Sequence, residues 1–135
     1  MEKHKAKILV IDDDPDFVVA VTPILESALY DVVTAANPEE GKEKIFAEKP
    51  DLILLDIMMN RLFDGFSMCH AIKSSKEYNE FNDTPIIFVS AVKEMTGSRF
   101  QFNAQEHGLK GPDEYIDKPV KPGDLIARIE KLLKR

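Results

Sequence analysis

Three aspartates stand directly after two short apolar runs of the chain. Asp12 and Asp13 follow the run Ile8–Ile11, and Asp56 follows Leu52–Leu55. A short run that is entirely apolar is typical of a strand buried on both faces, as in a parallel sheet covered by helices. Ligands of such sheets bind beyond the carboxyl ends of the strands. Carboxylates gathered there repel one another unless a cation binds among them, and Mg²⁺ prefers oxygen ligands, so the pattern predicts a divalent-metal site for phosphate chemistry.

Two more polar side chains follow later strands that the same pattern predicts. Ser90 ends the apolar run that begins at Pro85, and Lys118 follows the predicted strand Asp113–Asp117. A lysine ammonium at this edge would be a fixed positive charge for a phosphoryl oxygen, and a serine hydroxyl could donate a hydrogen bond to another. Asp56 could act both as a metal ligand and as a nucleophile toward phosphorus. Because phosphoryl transfer depends mainly on positioning and charge neutralisation, this set of residues favours phosphoryl transfer.

The composition is that of an acidic chain with the size of one domain. Its 135 residues include 18 basic and 24 acidic side chains, which give a formal net charge of −6. The length is sufficient for one core without disulfides, and the charge argues against nucleic acid or an anionic membrane as a direct partner. The single cysteine, Cys69, cannot form an internal disulfide. No apolar run approaches the ~20 residues of a membrane span, and the charged N-terminus is unlike a signal peptide, so we expect a cytoplasmic protein.

Strand and helix patterns alternate along the whole chain. The predicted strands cover residues 6–11, 32–36, 52–55, 85–89 and 113–117, and the predicted helices cover 15–29, 38–48, 65–76, 94–107 and 122–133. Asp14 is the expected N-cap of the first helix, Pro23 is expected to kink or break that helix, and 74–84 is expected to be a polar loop. The alternation predicts an α/β fold, a doubly wound parallel sheet with helices on both faces. We expect residues 1–135 to form a single domain.

The motifs at the strand ends resemble those of the receiver domain of two-component response regulators, the CheY-like family. The matching stretches are Ile8–Pro15, Pro50–Met59, Asp64–Gly65, Pro85–Ala91 and Tyr115–Pro119. Each stretch alone is a weak signal, but the five of them in order at these spacings are a strong one. The resemblance covers essentially the whole chain and implies a flavodoxin-like sheet with the strand order 2-1-3-4-5.

The resemblance also implies a role for each residue of the predicted site. Asp56 would accept a phosphoryl group from a sensor histidine kinase or a histidine phosphotransfer protein, with Lys118 assisting. Mg²⁺ would be held by Asp13, Asp56 and the backbone carbonyl of Met58, with Asp12 acting through water. The resemblance thus implies phosphorylation of Asp56 in a Mg²⁺-dependent reaction.

A conformational switch is the second implication of the resemblance. Ser90 would move toward the phosphoryl group and Tyr115 would turn inward. The surface formed by the fourth predicted helix, the fifth strand and the fifth helix would then change for a protein partner. Such a chain is not a turnover enzyme, because its own residues catalyse only its own phosphorylation and dephosphorylation.

Two departures from the family pattern leave alternatives open. Asn60 stands where the family usually has proline, and the connection from Ser90 to Lys118 is several residues longer than is common. A pseudo-receiver that only binds partners is one alternative. A haloacid-dehalogenase-type phosphatase is another, although the stretch Asp12–Asp16 lacks the Asp-x-Asp-Thr/Val pattern of that family. The sequence does not separate a stand-alone regulator from a receiver that belongs to a longer chain.

Overall fold

A parallel sheet of five strands lies at the centre of the described part of the chain. The computed structural model describes residues 6–57, 64–90 and 111–134. The strands are β1 (Lys7–Ile11), β2 (Asp31–Ala35), β3 (Leu52–Asp56), β4 (Ile86–Ser90) and β5 (Glu114–Asp117). They pair in parallel in the order β2-β1-β3-β4-β5, which confirms the predicted α/β class and the strand order.

Helices cover both faces of this sheet. They are α1 (Pro15–Ser27), α2 (Pro38–Glu48), α3 (Asp64–Ser74) and α4 (Pro122–Leu133), and α4 corresponds to the fifth helix predicted from the sequence. The predicted helix at 94–107 lies outside the described residues. No helix in the described ranges is both long enough and apolar enough to cross a membrane.

The core is divided by the sheet into two layers. Leu9, Ile11, Ile53 and Leu55 face α2 and α3, whereas the residues between them along the strands face α1 and α4. Strands β1 and β3 are therefore apolar on both sides, as expected for the inner strands of a covered parallel sheet. The two strands pair with each other at the centre of the sheet, and each buried apolar run stops where polar residues begin.

Helix α1 continues through Pro23, so the expected break at this position was wrong. Proline removes one backbone hydrogen bond and crowds the preceding turn. However, Val21 and Leu25 on either side of it are fully buried against the sheet. Packing of these two side chains therefore holds the helix together across the position that propensity alone would interrupt. Asp14 is the N-cap as predicted, since its Oδ1 accepts a hydrogen bond of 3.0 Å from the backbone N–H of Asp16.

The segment after α3 is more ordered than the polar loop predicted from the sequence. It contains a short 3₁₀ helix, Lys76–Phe81, whose Tyr78 and Phe81 are buried and contact the Phe46 ring of α2. The side-chain amide of Asn82 donates to the carbonyls of Ile72 and Tyr78, at 2.7 and 3.2 Å. These contacts fix the connection that leads from α3 into β4.

A partly buried ion pair fixes the start of β5. The Nζ of Lys73, in α3, lies 2.9 Å from Oδ2 of Asp113, and the same oxygen accepts a hydrogen bond of 2.9 Å from the backbone N–H of Ile86. The N–H of Asp113 donates in turn to the Ile86 carbonyl, at 2.8 Å. Because the chain is thereby tied to β4 at the residue before β5, the other end of β5 is placed beside the end of β4.

Candidate metal and phosphoryl site

Three carboxylates meet at the carboxyl edge of the sheet. Strands β1 and β3 are direct neighbours, so the residues at their ends lie side by side. Carboxylate oxygens of Asp12, Asp13 and Asp56 lie within 4.8 Å of one another. Asp12 and Asp56 are only 3% and 5% exposed, whereas Asp13 is exposed. The structure therefore brings together the three aspartates predicted as metal ligands, with an opening to solvent on the side of Asp13.

Lys118 adds a positive charge to this cluster. Its Nζ lies 2.9 Å from Oδ2 of Asp12 and 3.9 Å from Oδ2 of Asp14. The backbone N–H of Lys118 donates a hydrogen bond of 2.8 Å to the carbonyl of Ser90, and the peptide bond to Pro119 is cis. Since β5 ends one position earlier, the backbone at this point directs the long side chain across the sheet edge toward β1.

The charge of Asp12 is affected by its burial and by the neighbouring Lys118. Its burial raises the pKa of the carboxyl above the usual range, although the Lys118 ammonium and the backbone N–H of Asp14 act in the opposite direction. Oδ1 accepts a hydrogen bond of 2.9 Å from Asp14 N–H. Oδ2 is buried and pairs with the Lys118 ammonium at 2.9 Å.

The charge of the cluster tests whether the residues suit a metal ion. Three carboxylates within 4.8 Å of one another, two of them buried, repel one another, and the single ammonium of Lys118 among the described residues around them does not balance their charge. A hydrated cation among them would supply an opposing charge, and three carboxylate oxygens are a donor set that Mg²⁺ accepts. The cluster therefore fits Mg²⁺, with Asp12 suited to contact through water. The carbonyl of Met58, the fourth predicted ligand, lies outside the described residues.

Ser90 lies at the same edge, one strand away from Asp56. It is the last residue of β4 and is 2% exposed. In the parallel register Asp56 is opposite Val89, and Ser90 is opposite Asp117. The hydroxyl-bearing residue is thus flanked by the strand that ends in Asp56 and the strand that leads to Lys118, as its predicted role requires.

Tyr115 lies further back, inside β5. Its ring packs edge-on against Phe88, with 5.5 Å between the ring centroids, and it joins the core layer formed with α3. Its hydroxyl is buried and has no hydrogen-bond partner among the described residues. Burial, with the nearby Cys69 as a lesser cause, raises the pKa of the phenol well above its usual value. Tyr115 is therefore not part of the carboxylate cluster, and its ring is packed inward.

Phe17 is a member of the site that the sequence analysis did not identify. Its ring centroid lies 4.5 Å from Nζ of Lys118. The residue belongs to the first turn of α1, which begins directly after the aspartates of β1. An apolar residue on the buried face of a helix ordinarily predicts core packing only. The one feature of the sequence that could have indicated a role in the site is that Phe17 follows Asp13 by four residues.

Gly65 also contributes to the site, because it lets α3 approach the end of β3. A Cβ at this position would lie 2.6 Å from the Asp56 carbonyl oxygen and 2.6 Å from Cα of Ile57, and both of these are backbone atoms. The Gly65 N–H donates a hydrogen bond of 3.1 Å to the Ile57 carbonyl. The absence of a side chain thus allows α3 to begin against the backbone that carries Asp56.

Gly65→Ala is therefore expected to destabilise the fold by about 1 to 3 kcal/mol, because the backbone at the end of β3 must shift to admit a methyl group. The free energy of unfolding from urea denaturation is the measurement. Gly123→Ala is the matched control, since no heavy atom lies within 4 Å of a Cβ there. Alanine in that helical turn is expected to be neutral or stabilising by up to about 1 kcal/mol. Equal stability of the two variants would show that the close approach is not a constraint.

Comparison with known proteins gives one consistent family. Residues 8–130 match the model of the family described as "Response regulator receiver domain". The chain is 37% identical to the probable transcriptional regulator ycf27 of Cyanophora paradoxa, over 100% of this chain and 51% of that protein. It is 37% identical to the alkaline phosphatase synthesis transcriptional regulatory protein PhoP of Bacillus subtilis, over 96% of this chain and 49% of that protein. The chain thus spans about half the length of these curated relatives.

A solved structure with the same fold agrees with this result. The CheY-like response regulator receiver domain protein from Methanospirillum hungatei superposes with a TM-score of 0.77 at 28% identity, over 98% of this chain and 95% of that chain. The likeness therefore extends to the arrangement of the strands as well as to the motifs at their ends.

Proposed function

Because the chain belongs to the family of response regulator receiver domains, we propose that it is a signalling switch operated by phosphorylation of Asp56. Receiver domains of this family are signalling domains and not classical enzymes. The observation that carries the assignment of the acceptor is the cluster itself: Asp56 is buried at the centre of the sheet edge, with Asp12 and Asp13 within 4.8 Å. Lys118, paired with Asp12 at 2.9 Å, adds a positive charge to these three carboxylates.

The proposed reaction is an in-line transfer to the carboxylate of Asp56. One oxygen of this carboxylate attacks the phosphorus of a phosphohistidine, so a P–O bond forms, the P–N bond breaks and the imidazole leaves with a proton from solvent. Asp13, Asp56 and the Met58 carbonyl would hold Mg²⁺, with Asp12 acting through water, and the bound ion would neutralise charge on the phosphoryl oxygens. The Lys118 ammonium, held at the same edge, pairs with a phosphoryl oxygen, and the Ser90 hydroxyl donates to another.

The proposed switch begins with Ser90 and ends at the surface. Movement of Ser90 toward the phosphoryl group would change the packing at the end of β4, against which the ring of Tyr115 packs through Phe88 in this structure. The buried Tyr115 hydroxyl, without a partner among the described residues, supports a side chain that has a second arrangement available. The surface that changes is formed by the predicted helix at 94–107 together with β5 and α4.

The proposed partners are proteins. A sensor histidine kinase or a histidine phosphotransfer protein would supply the phosphoryl group, and a downstream protein would bind the changed surface. Relatives that are named as transcriptional regulators are about twice as long as this chain. With a net charge of −6, we propose that residues 1–135 form a single receiver domain that does not itself contact nucleic acid.

The test is incubation with acetyl phosphate, once with Mg²⁺ and once with a chelator, followed by intact mass measurement. Gain of one phosphoryl group that depends on Mg²⁺ is expected, and borohydride reduction followed by peptide mapping should locate it at Asp56. Failure to gain a phosphoryl group from either acetyl phosphate or a phosphorylated histidine protein would favour the pseudo-receiver. Steady turnover of p-nitrophenyl phosphate would instead favour a haloacid-dehalogenase-type phosphatase.

A further inference from the structure

The ammonium of Lys118 is held by an aromatic ring as well as by carboxylates. Its Nζ lies 2.9 Å from Asp12 Oδ2, 3.9 Å from Asp14 Oδ2 and 4.5 Å from the ring centroid of Phe17. A cation within about 6 Å of a ring centroid is attracted by the negative face of the ring, and the attraction is largest where water is excluded. Phe17 is 7% exposed, so this contact is largely shielded from water.

The chemistry of the ring differs from that of the two carboxylates in a way that matters for phosphoryl transfer. A carboxylate neutralises the ammonium and accepts its N–H groups, so it competes with an incoming phosphoryl oxygen for both. A phenyl ring attracts the cation but accepts no ordinary hydrogen bond, so the positive charge and the N–H donors remain available. The ring also covers one side of the ammonium, which limits where the flexible lysine stem can place it.

The fold gives Phe17 a fixed position from which to do this. It lies in the first turn of α1, whose start is set by the Asp14 cap and by Pro15 at the first helical position. Its side chain packs in the core layer between α1 and the sheet, together with Val21 and Leu25. The ring is therefore anchored by the same helix that follows the proposed metal ligands Asp12 and Asp13, and it faces the ammonium of Lys118.

We propose that Phe17 is a positioning residue for Lys118: its ring face holds the ammonium at the sheet edge in the orientation used for phosphoryl transfer. This inference rests on the proposed function for its effect on rate, but the contact itself does not depend on phosphorylation. The rate of phosphorylation of Asp56 should depend on the negative electrostatic potential of the ring face at position 17, and not only on the volume of the ring.

The first test replaces Phe17 by phenylalanine analogues that carry one, two or three ring fluorines, which weaken the cation–π attraction with little change of shape. The pseudo-first-order rate of phosphorylation by acetyl phosphate at saturating Mg²⁺ is expected to fall stepwise with each added fluorine. Phe17→Leu should lower it by roughly 2- to 30-fold, the range expected for a partly to fully desolvated contact. The same analogues at Phe81, which is 3% exposed and lies before β4 at the opposite edge of the sheet, are the matched control and should leave the rate unchanged.

The second test reads the contact directly in the unphosphorylated, metal-free protein. The ε-methylene proton signals of Lys118, assigned by their disappearance in Lys118→Arg, should be shifted upfield by the ring current of Phe17 and return to ordinary positions in Phe17→Leu. A normal shift in the wild type would overturn the contact. A shifted signal combined with a rate that is indifferent to fluorination would overturn the positioning role. If the wild type took up no phosphoryl group at all, the proposed function would fail, while the shift would still decide whether Phe17 holds Lys118.

Discussion

Asp56→Asn is expected to abolish phosphoryl uptake from acetyl phosphate, so that the intact mass of the variant stays unchanged under conditions in which the wild type gains one phosphoryl group. Asparagine has nearly the size and shape of aspartate, but its amide is not a nucleophile toward phosphorus and forms no acyl phosphate. It also removes one of the three negative charges that lie within 4.8 Å of one another. The variant therefore loses both the attacking atom and a ligand of the proposed metal.

The stability of this variant separates loss of chemistry from loss of fold. Asp56 is 5% exposed and lies beside Asp12 and Asp13, so the substitution relieves repulsion within the carboxylate cluster when no metal is bound. We expect the free energy of unfolding of Asp56→Asn without Mg²⁺ to equal or exceed that of the wild type. Asp83→Asn, which changes an exposed aspartate before β4, is the matched control and should take up phosphoryl normally. Uptake by Asp56→Asn would show that another carboxylate of the cluster is an acceptor.

The fold could be predicted from the sequence because its inner strands carry an unambiguous pattern. Every residue of Leu52–Asp56 is buried, and so are four of the five residues of β1. A short apolar run that ends in an acidic residue favours a strand buried on both faces. Neighbouring strands of this kind are joined by helices, which cover the two faces of the sheet. The positions of the site residues follow from the same pattern, because parallel strands bring their carboxyl ends to one edge.

The parts that sequence reasoning missed depend on contacts between distant segments. Pro23 lowers local helix propensity, but burial of the neighbouring apolar side chains outweighs it, and propensity alone has no term for that packing. The 3₁₀ helix at Lys76–Phe81 lacks helical periodicity and depends on the aromatic contact with Phe46. Phe17 lies on the buried face of α1, but its distance to Lys118 depends on where β5 ends, about a hundred residues later in the chain.

Removal of the proposed metal ion is the second change for which we expect a large effect on the rate of phosphorylation. Removal of divalent cations by a chelator is expected to slow phosphorylation of Asp56 by roughly 10²- to 10³-fold, comparable to the loss of a preorganised charge at a reacting oxygen. Without the cation, the incoming phosphoryl oxygens meet three carboxylates and only one ammonium, that of Lys118, among the described residues around the cluster. The measurement is the pseudo-first-order rate with acetyl phosphate across a Mg²⁺ titration.

Asp13→Asn tests which residue holds the cation, because Asp13 is the exposed carboxylate through which the cluster meets solvent. The variant should need a higher Mg²⁺ concentration to reach its maximal rate and should lose most of the stabilisation that Mg²⁺ gives the wild type. Binding of an ion at a hundred times its Kd raises the free energy of unfolding by about 2.7 kcal/mol.

Asp16→Asn is the matched control, because it removes the same charge from the exposed first turn of α1. It should leave unchanged the Mg²⁺ dependence of both the rate and the stability. If the two variants shifted the titrations equally, the cation would respond to the general charge of this edge and not to a ligand at Asp13. A selective shift in Asp13→Asn would instead place the ion beside Asp56, the proposed acceptor of the phosphoryl group.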